Sequence, residues 1–161
     1  MKTKILRLDE LALKIETLKK EQKKIVLCHG CFDVLHFGHL RHFVEAKKKA
    51  DFLAVTVTPN DFVNKGKDRP IFSEEYRIEL LSGLSVIDYL SINRWPSAVK
   101  TIKLLRPTFY AKGSEYESST QTVNPLFEEE KKALREINGK MVFTYEKTSS
   151  SSSIIQKIQK L

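Results

Sequence analysis

The chain has 161 residues, a length that suits one domain built around one hydrophobic core. No apolar run approaches the ~20 residues that a membrane-spanning helix needs, and the N-terminus lacks the apolar stretch of a signal peptide, so we expect a cytoplasmic protein without a membrane segment. The net charge of +8 indicates an anionic partner, either nucleic acid or a small molecule rich in phosphate.

Five apolar runs have the length and composition of strands in a sheet. In chain order they occupy residues 25–28, 52–57, 88–92, 108–111 and 141–145. The second run is apolar enough to be buried on both faces, as a strand of a parallel sheet is.

Helical periodicity fills the segments around these strands. In chain order the predicted helices occupy residues 9–20, 38–50, 73–84, 96–105, 125–138 and 154–158. Asp9 and Ser73 are predicted N-caps, and Pro96 and Pro125 suit helix starts. The serine run at residues 149–153 is predicted to cap the last helix rather than to form a flexible linker.

The alternation of strands and helices predicts an α/β fold, in which about five parallel strands form a doubly wound sheet between two layers of helices. Residues 1–22 are predicted to form an N-terminal helical extension, and residues 23–161 the domain itself. Ligands of such a sheet bind beyond the carboxyl ends of its strands.

Polar and basic residues follow four of the predicted strands, at one edge of the sheet. They are His36 and His39 after the first strand, Lys65, Lys67 and Arg69 after the second, Lys112 and Gly113 after the fourth, and Lys147 with the serine run after the fifth. Cationic side chains, helix N-termini and serine caps all suit phosphate. The convergence predicts a nucleotide or polyphosphate site rather than a nucleic-acid surface.

All four histidines lie between residues 29 and 42, and two of them flank Gly38 at a predicted helix start. The imidazoles of His36 and His39 could donate hydrogen bonds there to a phosphorus centre that becomes more crowded and more negative. Gly38 removes a side chain where a ligand must approach. His29 and His42 are expected to have surface or packing roles.

Two features have competing interpretations. Arg77 lies along the apolar face of its predicted helix, so either its stem packs there while the charge reaches solvent, or its guanidinium reaches over the sheet edge to phosphate. The loop that carries Lys65 is either a phosphate-binding segment or a turn with solvated charges.

The cysteines raise the alternatives of zinc and redox chemistry. Cys28, Cys31, His36 and His39 have a spacing that could hold zinc, and the two cysteines form a C-x-x-C. However, Cys28 ends a buried strand and Cys31 follows a glycine turn, so their thiols need not face one point. The helix also starts later than a thioredoxin-like motif requires. We therefore predict no metal ligands among the protein side chains.

The strongest motif is Gly-x-Phe-Asp-x-x-His-x-Gly-His, and by it the sequence resembles the cytidylyltransferase-like family of nucleotidyltransferases. The motif residues are Gly30, Phe32, Asp33, His36, Gly38 and His39. Segments 67–70, 112–116 and 151–155 resemble the adenylyltransferase domain of the bifunctional heptose kinase/adenylyltransferase. Residues 61–62, 65 and 76–77 are similar to glycerol-3-phosphate cytidylyltransferase. The resemblance runs from about residue 8 to residue 158.

The resemblance implies a Rossmann-like fold and a reaction. An acceptor phosphate attacks the α-phosphorus of a nucleoside triphosphate in line, and pyrophosphate leaves; positioning and charge stabilisation supply the catalysis. It further implies transfer of AMP to a sugar phosphate such as heptose 1-phosphate for cell-surface glycan synthesis, Mg²⁺ with the triphosphate, and a homodimer. The alternatives are a CTP-dependent enzyme for glycerol or another polyol phosphate, and a nucleotide-binding module without turnover.

The resemblance also implies roles for individual residues. Catalytic roles fall on His36, His39, Lys65 and Arg77. Nucleotide binding falls on Gly30, Cys31, Phe32, His36, Gly38, His39, Lys112, Gly113, Ser151 and Ser152. Acceptor binding falls on Asp33, Lys65, Arg69 and Arg77. The sequence departs from the family at Thr148, where a glycine is common, and at His29, where the heptose branch has asparagine; both departures concern the choice of base and acceptor.

Overall fold

The computed structural model describes residues 4–117, 125–145 and 151–160 of the chain. Its strands are Ile25–Gly30 (β1), Phe52–Val57 (β2), Tyr89–Ile92 (β3), Phe109–Gly113 (β4) and Lys140–Thr144 (β5). Its α-helices are Leu8–Lys20 (α1), Phe37–Lys47 (α2), Glu74–Ser82 (α3), Val99–Leu105 (α4), Pro125–Glu136 (α5) and Ser151–Ile158 (α6).

The five strands are parallel and lie in the order β3-β2-β1-β4-β5. The winding of the chain reverses between β1 and β4, so the carboxyl end of β1 lies at the switch point where ligands of open α/β sheets bind. The predicted doubly wound, Rossmann-like fold with five parallel strands is confirmed.

The sheet is covered on both faces because side chains alternate along each strand. Ile25 and Leu27 of β1 pack into one apolar cluster with buried residues of α1, α4 and α5. Val26 and Cys28 pack into a second cluster with buried residues of α2 and α3. The predicted N-terminal extension thus packs into the first cluster through α1, and Ile5 forms a parallel bridge to Leu90 at the edge of the sheet.

Two predicted helix starts are wrong, and local hydrogen bonds explain both. The N-cap of α1 is Arg7 rather than Asp9, and the Arg7 N–H donates to the Glu10 carboxylate at 2.9 Å. Helix α4 begins at Val99 rather than at Pro96. The side-chain amide of Asn93 donates to the carbonyls of Trp95 and Ser97, at 2.7 and 3.0 Å, and holds this segment outside the helix.

Other element ends differ by a few residues from the predicted ones. Ser73 occupies the predicted N-cap position of α3, but its side chain makes no capping hydrogen bond. Strands β1 and β4 each run two residues further than predicted, to Gly30 and Gly113, because pairing with their neighbours continues that far. None of the helices within the three described ranges is both long and apolar enough to cross a bilayer.

Candidate active site

The two predicted histidines form a stacked pair at the switch point. His36 is the N-cap of α2, and its Nδ1 accepts the Gly38 N–H at 3.1 Å. Nδ1 of His39 accepts the His36 N–H at 3.3 Å. The ring centroids lie 3.8 Å apart with an interplanar angle of 29°. Each imidazole therefore caps the helix start while its ring is held in a fixed orientation.

These hydrogen bonds assign the protons of both rings. A nitrogen that accepts a backbone N–H carries no hydrogen, so the neutral rings of His36 and His39 are protonated at Nε2. Burial and the charge of Lys65 lower the pKa of His36. Burial, followed by the charges of His36, Lys65 and His42, lowers the pKa of His39 to about 3. At neutral pH the pair presents two neutral Nε2–H donors.

Lys65 joins the histidine pair from the loop after β2. Its side chain is exposed, and its charge acts on both His36 and His39. Of the four residues with predicted catalytic roles, His36 and His39 are in contact, and Lys65 is near enough for its charge to lower the pKa of both. A cation whose charge acts on two N–H donors is an arrangement that suits anionic oxygens.

The turn from β1 to α2 is strained and tightly packed. Phe32 and Val34 have φ angles of 50° and 53°, in the left-handed region that costs a residue with a side chain roughly 1–2 kcal/mol. The Phe32 ring lies against Gly30, where an added Cβ would come within 3.0 Å of it, and meets the His39 ring edge to face at 5.4 Å. Phe32 is buried, so it supports His39 from the interior.

Asp33 does not face the predicted acceptor site. Its carboxylate is fully buried and accepts hydrogen bonds from Arg69 Nε at 2.7 Å, the Ile71 N–H at 2.9 Å and the Phe72 N–H at 3.1 Å. Arg69 is mostly buried in this ion pair. Asp33 and Arg69, two of the four residues predicted to bind the acceptor, thus join the turn after β1 to the loop before α3.

Arg77 is buried as well, with 1% of its surface exposed. Its guanidinium donates to the carbonyls of Cys31 at 2.6 Å and Phe72 at 3.0 Å, and to Oδ1 of Asn60 at 2.8 Å. The guanidinium therefore reaches neither solvent nor the sheet edge where phosphate is expected, so neither of the two interpretations of Arg77 agrees with the structure. The arginine ties the turn after β1, through Cys31, to both ends of the loop between β2 and α3, through Asn60 and Phe72.

Acid pH should reveal the stability that Asp33 contributes. Burial raises its pKa, but the Ile71 and Phe72 amides and Arg69 outweigh burial, and the net pKa lies below the ordinary 3.8. The contribution is then complete above the unfolded pKa of about 3.8 and is lost as the pH falls through the folded value. Asp33→Asn is expected to lower the free energy of unfolding by about 2–4 kcal/mol at pH 7.

Urea unfolding at pH 7 and at successively lower pH checks this expectation, with the exposed Asp61 changed to Asn as the matched control. The control should stay within about 0.5 kcal/mol of the wild type. The gap between Asp33→Asn and the wild type should narrow below pH ~4. A gap that is absent at pH 7, or unchanged in acid, contradicts the structural assignment.

Lys112 and Gly113 lie at the end of β4, but the Lys112 ammonium is held within the protein. It is 2.9 Å from Oε2 of Glu130 on α5 and lies 5.1 and 5.0 Å from the ring centroids of Tyr110 and Tyr116. At Gly113 the space of a Cβ is taken by the side chain of Glu115. Lys112 is thus neutralised by a buried carboxylate.

The serine end of the predicted site is described only in part. Helix α6 begins at Ser151, three residues before the predicted start at residue 154, so the last three serines of the run lie within the helix, and Ser152 is exposed. The predicted roles of Lys147 and of serines 149 and 150 fall outside the described residues. Phosphate binding by the serines stays a prediction.

Sequence reasoning missed the partners of the charged residues. Glu130 was detectable, because it follows Phe127 by three residues and precedes Leu134 by four, on the apolar face of α5. Asn60 had no such signal, since it lies in a polar loop. Within residues 4–117, 125–145 and 151–160, no three His, Cys, Asp or Glu side chains converge as a metal site would require.

Fold and site together define a Rossmann-like protein with a stacked pair of histidines at its switch point. Residues 27–158 match the family model described as Cytidylyltransferase-like. The chain belongs to this family and is a nucleotidyltransferase, so the predicted family and enzyme class are confirmed.

Individual relatives agree with this membership. The bifunctional protein HldE of Helicobacter pylori strain J99 is 35% identical over 98% of this chain and 32% of the relative. HldE of Desulfatibacillum aliphaticivorans is 30% identical over 97% of this chain and 31% of the relative. The chain thus spans about a third of the length of these curated relatives.

Solved structures show the same fold. The lipopolysaccharide core biosynthesis protein from Thermoplasma volcanium matches with a TM-score of 0.64 and 27% identity, over 78% of this chain and 99% of that one. A pantoate-beta-alanine ligase from Francisella tularensis matches with a TM-score of 0.63 and 16% identity, over 98% and 78%. The second likeness concerns the fold alone.

Proposed function

We propose that this nucleotidyltransferase transfers AMP from ATP to a sugar phosphate of the heptose 1-phosphate type and releases pyrophosphate, in the synthesis of a cell-surface glycan precursor. The observation that carries the proposal is the stacked pair of His36 and His39, whose Nε2–H groups are free of the capping hydrogen bonds that Nδ1 accepts, and on which the charge of Lys65 acts. Similarity to HldE over 98% of the chain supports ATP and a heptose phosphate over the CTP-dependent alternative.

The proposed chemistry balances without a strong general base. An oxygen of the acceptor phosphate, already anionic, forms a bond to the α-phosphorus, and the bond from that phosphorus to the bridging oxygen of pyrophosphate breaks. The five-coordinate transition state carries more negative charge on its equatorial oxygens. Neutral donors that are held in place before the reaction stabilise this charge without reorganisation.

Each site residue has a role in this proposal. The Nε2–H groups of His36 and His39 bind oxygens of the triphosphate, and Lys65 binds the phosphate at which the two substrates meet. Arg77 and Asp33 act through the loops that they hold, which makes them positioning residues. Main-chain groups near Gly113 would lie by the base and ribose, and the serines of α6 by the β- and γ-phosphates.

Magnesium enters the proposal with the triphosphate. The buried carboxylate of Asp33 is committed to Arg69 and two backbone amides, so it is not a fitting ligand. We assign the metal to phosphate oxygens and derive no step through it. The predicted cytoplasmic location and homodimer stay predictions.

A panel assay tests the proposed function. Pyrophosphate release is measured with ATP, CTP, GTP and UTP, each with Mg²⁺ and either heptose 1-phosphate or glycerol 3-phosphate. ATP with heptose 1-phosphate is expected to give at least about tenfold more release than any other pair. Release that depends on CTP, or no release with any pair, would contradict the proposal. Thermal shifts with each nucleotide give an independent measure of binding.

A further inference from the structure

A third histidine contact lies one turn beyond His39 on α2. Nδ1 of His42 is 2.7 Å from Oγ1 of Thr144, and the same hydroxyl lies 3.4 Å from the carbonyl oxygen of Lys112. Thr144 ends β5 and is 2% exposed, so these contacts are shielded from water. The chain of contacts joins the helix of the histidine pair to the ends of β4 and β5.

The chemistry of the three groups fixes the direction of the hydrogen bonds. Threonine has one hydroxyl hydrogen, and a carbonyl oxygen can only accept. Both contacts form together only when Thr144 donates to the Lys112 carbonyl and the Nδ1–H of His42 donates to Thr144. His42 is then the Nδ1–H tautomer, opposite to the Nε2–H tautomers of His36 and His39.

The surroundings keep His42 neutral at physiological pH. Burial lowers its pKa to about 4; the carboxylate of Glu115 opposes this shift, and the ammonium of Lys112 adds to it. The ring also packs against Phe43, with centroids 5.7 Å apart. The hydrogen bond to Thr144 thus joins two neutral groups, and its geometry does not depend on a titration near pH 7.

We propose that His42 and Thr144 are positioning residues, whose hydrogen bond sets the distance between the histidine pair on α2 and the ends of β4 and β5. This inference rests on the proposed function. His39 and His42 are three residues apart on one helix and lie on neighbouring turns, so a shift at His42 moves His39 with it. A misplacement of about 1 Å at a reacting centre can cost 10²-fold in rate.

The test compares Thr144→Val, which keeps the shape and removes the hydroxyl, with Thr144→Ser, which keeps the hydroxyl. Thr17→Val, on the exposed face of α1, is the matched control. Thr144→Val is expected to lower kcat about tenfold, with KM for the nucleotide changed less than about twofold. Thr144→Ser should recover most of the loss, and Thr17→Val should match the wild type.

A double-mutant cycle separates this role from general stability. His42→Phe and Thr144→Val should each lower kcat about tenfold, and the double variant should lose no more than either single variant. A kcat of the double variant that falls by the product of the two single losses, about 100-fold, would overturn the proposal. Wild-type kcat in Thr144→Val, with only a lower melting temperature, would overturn it too, because that result assigns the bond to stability alone.

Nitrogen-15 spectra of the histidine rings give a readout that does not need turnover. They should show Nδ1–H at His42 in the wild type and lose this preference in Thr144→Val; Nε2–H at wild-type His42 would overturn the inference. A wild type that releases no pyrophosphate with any substrate pair would overturn the proposed function itself. Because the wild type is assayed first, failure of the proposed function is distinguished from failure of the inference about His42 and Thr144.

Discussion

Replacement of His39 by asparagine is expected to lower kcat of the proposed transfer by about 10²–10³-fold while the melting temperature stays near that of the wild type. The amide oxygen of asparagine can accept the His36 N–H, as Nδ1 of His39 does at 3.3 Å, so the helix start keeps its cap. Asparagine has no group that reaches the position of Nε2. The variant therefore removes the proposed donor to phosphate and leaves the local fold in place.

His39→Gln is the matched comparison, because the glutamine amide nitrogen reaches the position of Nε2 but is too long to cap the helix in the same way. His39→Gln should recover part of the kcat that His39→Asn loses. Its melting temperature should lie below that of the wild type, because the lost helix cap costs about 1 kcal/mol. Steady-state kinetics and thermal unfolding of both variants measure the two effects separately. Turnover of His39→Asn within threefold of the wild type would exclude the catalytic role.

The backbone of this protein was largely predictable because its signals are local. Apolar runs of four to six residues specify strands, and helical periodicity specifies the segments between them. The two wrong helix starts occur where a side chain a few residues away forms hydrogen bonds that compete with the helical pattern. Asn93 holds back the start of α4, and the Glu10 carboxylate makes Arg7 the N-cap of α1.

The histidine pair was predictable for the same reason, since its capping contacts lie within three residues. The directions of the other charged side chains depend on partners that are distant in sequence. Asp33 bonds to the amides of Ile71 and Phe72, more than thirty residues away, and Lys112 meets Glu130 across two elements. A sequence motif indicates that such residues matter, but it does not indicate which way they point.

These internal pairings change the electrostatics of the predicted site. Arg69 and Lys112 are neutralised by Asp33 and Glu130, so they add little net charge at the sheet edge. In the described part of the loop after β2, Lys65 and Lys67 are exposed. We therefore expect the triphosphate of the proposed reaction to meet the charges of this loop and the Nε2–H groups rather than those of Arg69 and Lys112.

The second large expected effect is the loss of stability when the buried hydrogen bonds of Arg77 are removed. Arg77→Met is expected to lower the free energy of unfolding by about 3–5 kcal/mol, because it leaves the Cys31 and Phe72 carbonyls and the Asn60 side chain without their donor. The exposed Arg94, paired with Asp9, is the matched control. Arg94→Met should cost less than about 1 kcal/mol. Urea unfolding at pH 7 measures both variants.

Kinetics of Arg77→Lys distinguish positioning from substrate contact. A lysine cannot reach three acceptors in different directions, so the loops around the histidine pair should shift, and kcat should fall about 10²-fold together with stability. An arginine that contacted the acceptor phosphate would give another result: a raised KM for the acceptor at unchanged stability. That outcome would restore the direct role that the sequence predicts. The expected joint loss instead assigns Arg77 to the scaffold that holds Cys31, and through it the turn into α2, in place.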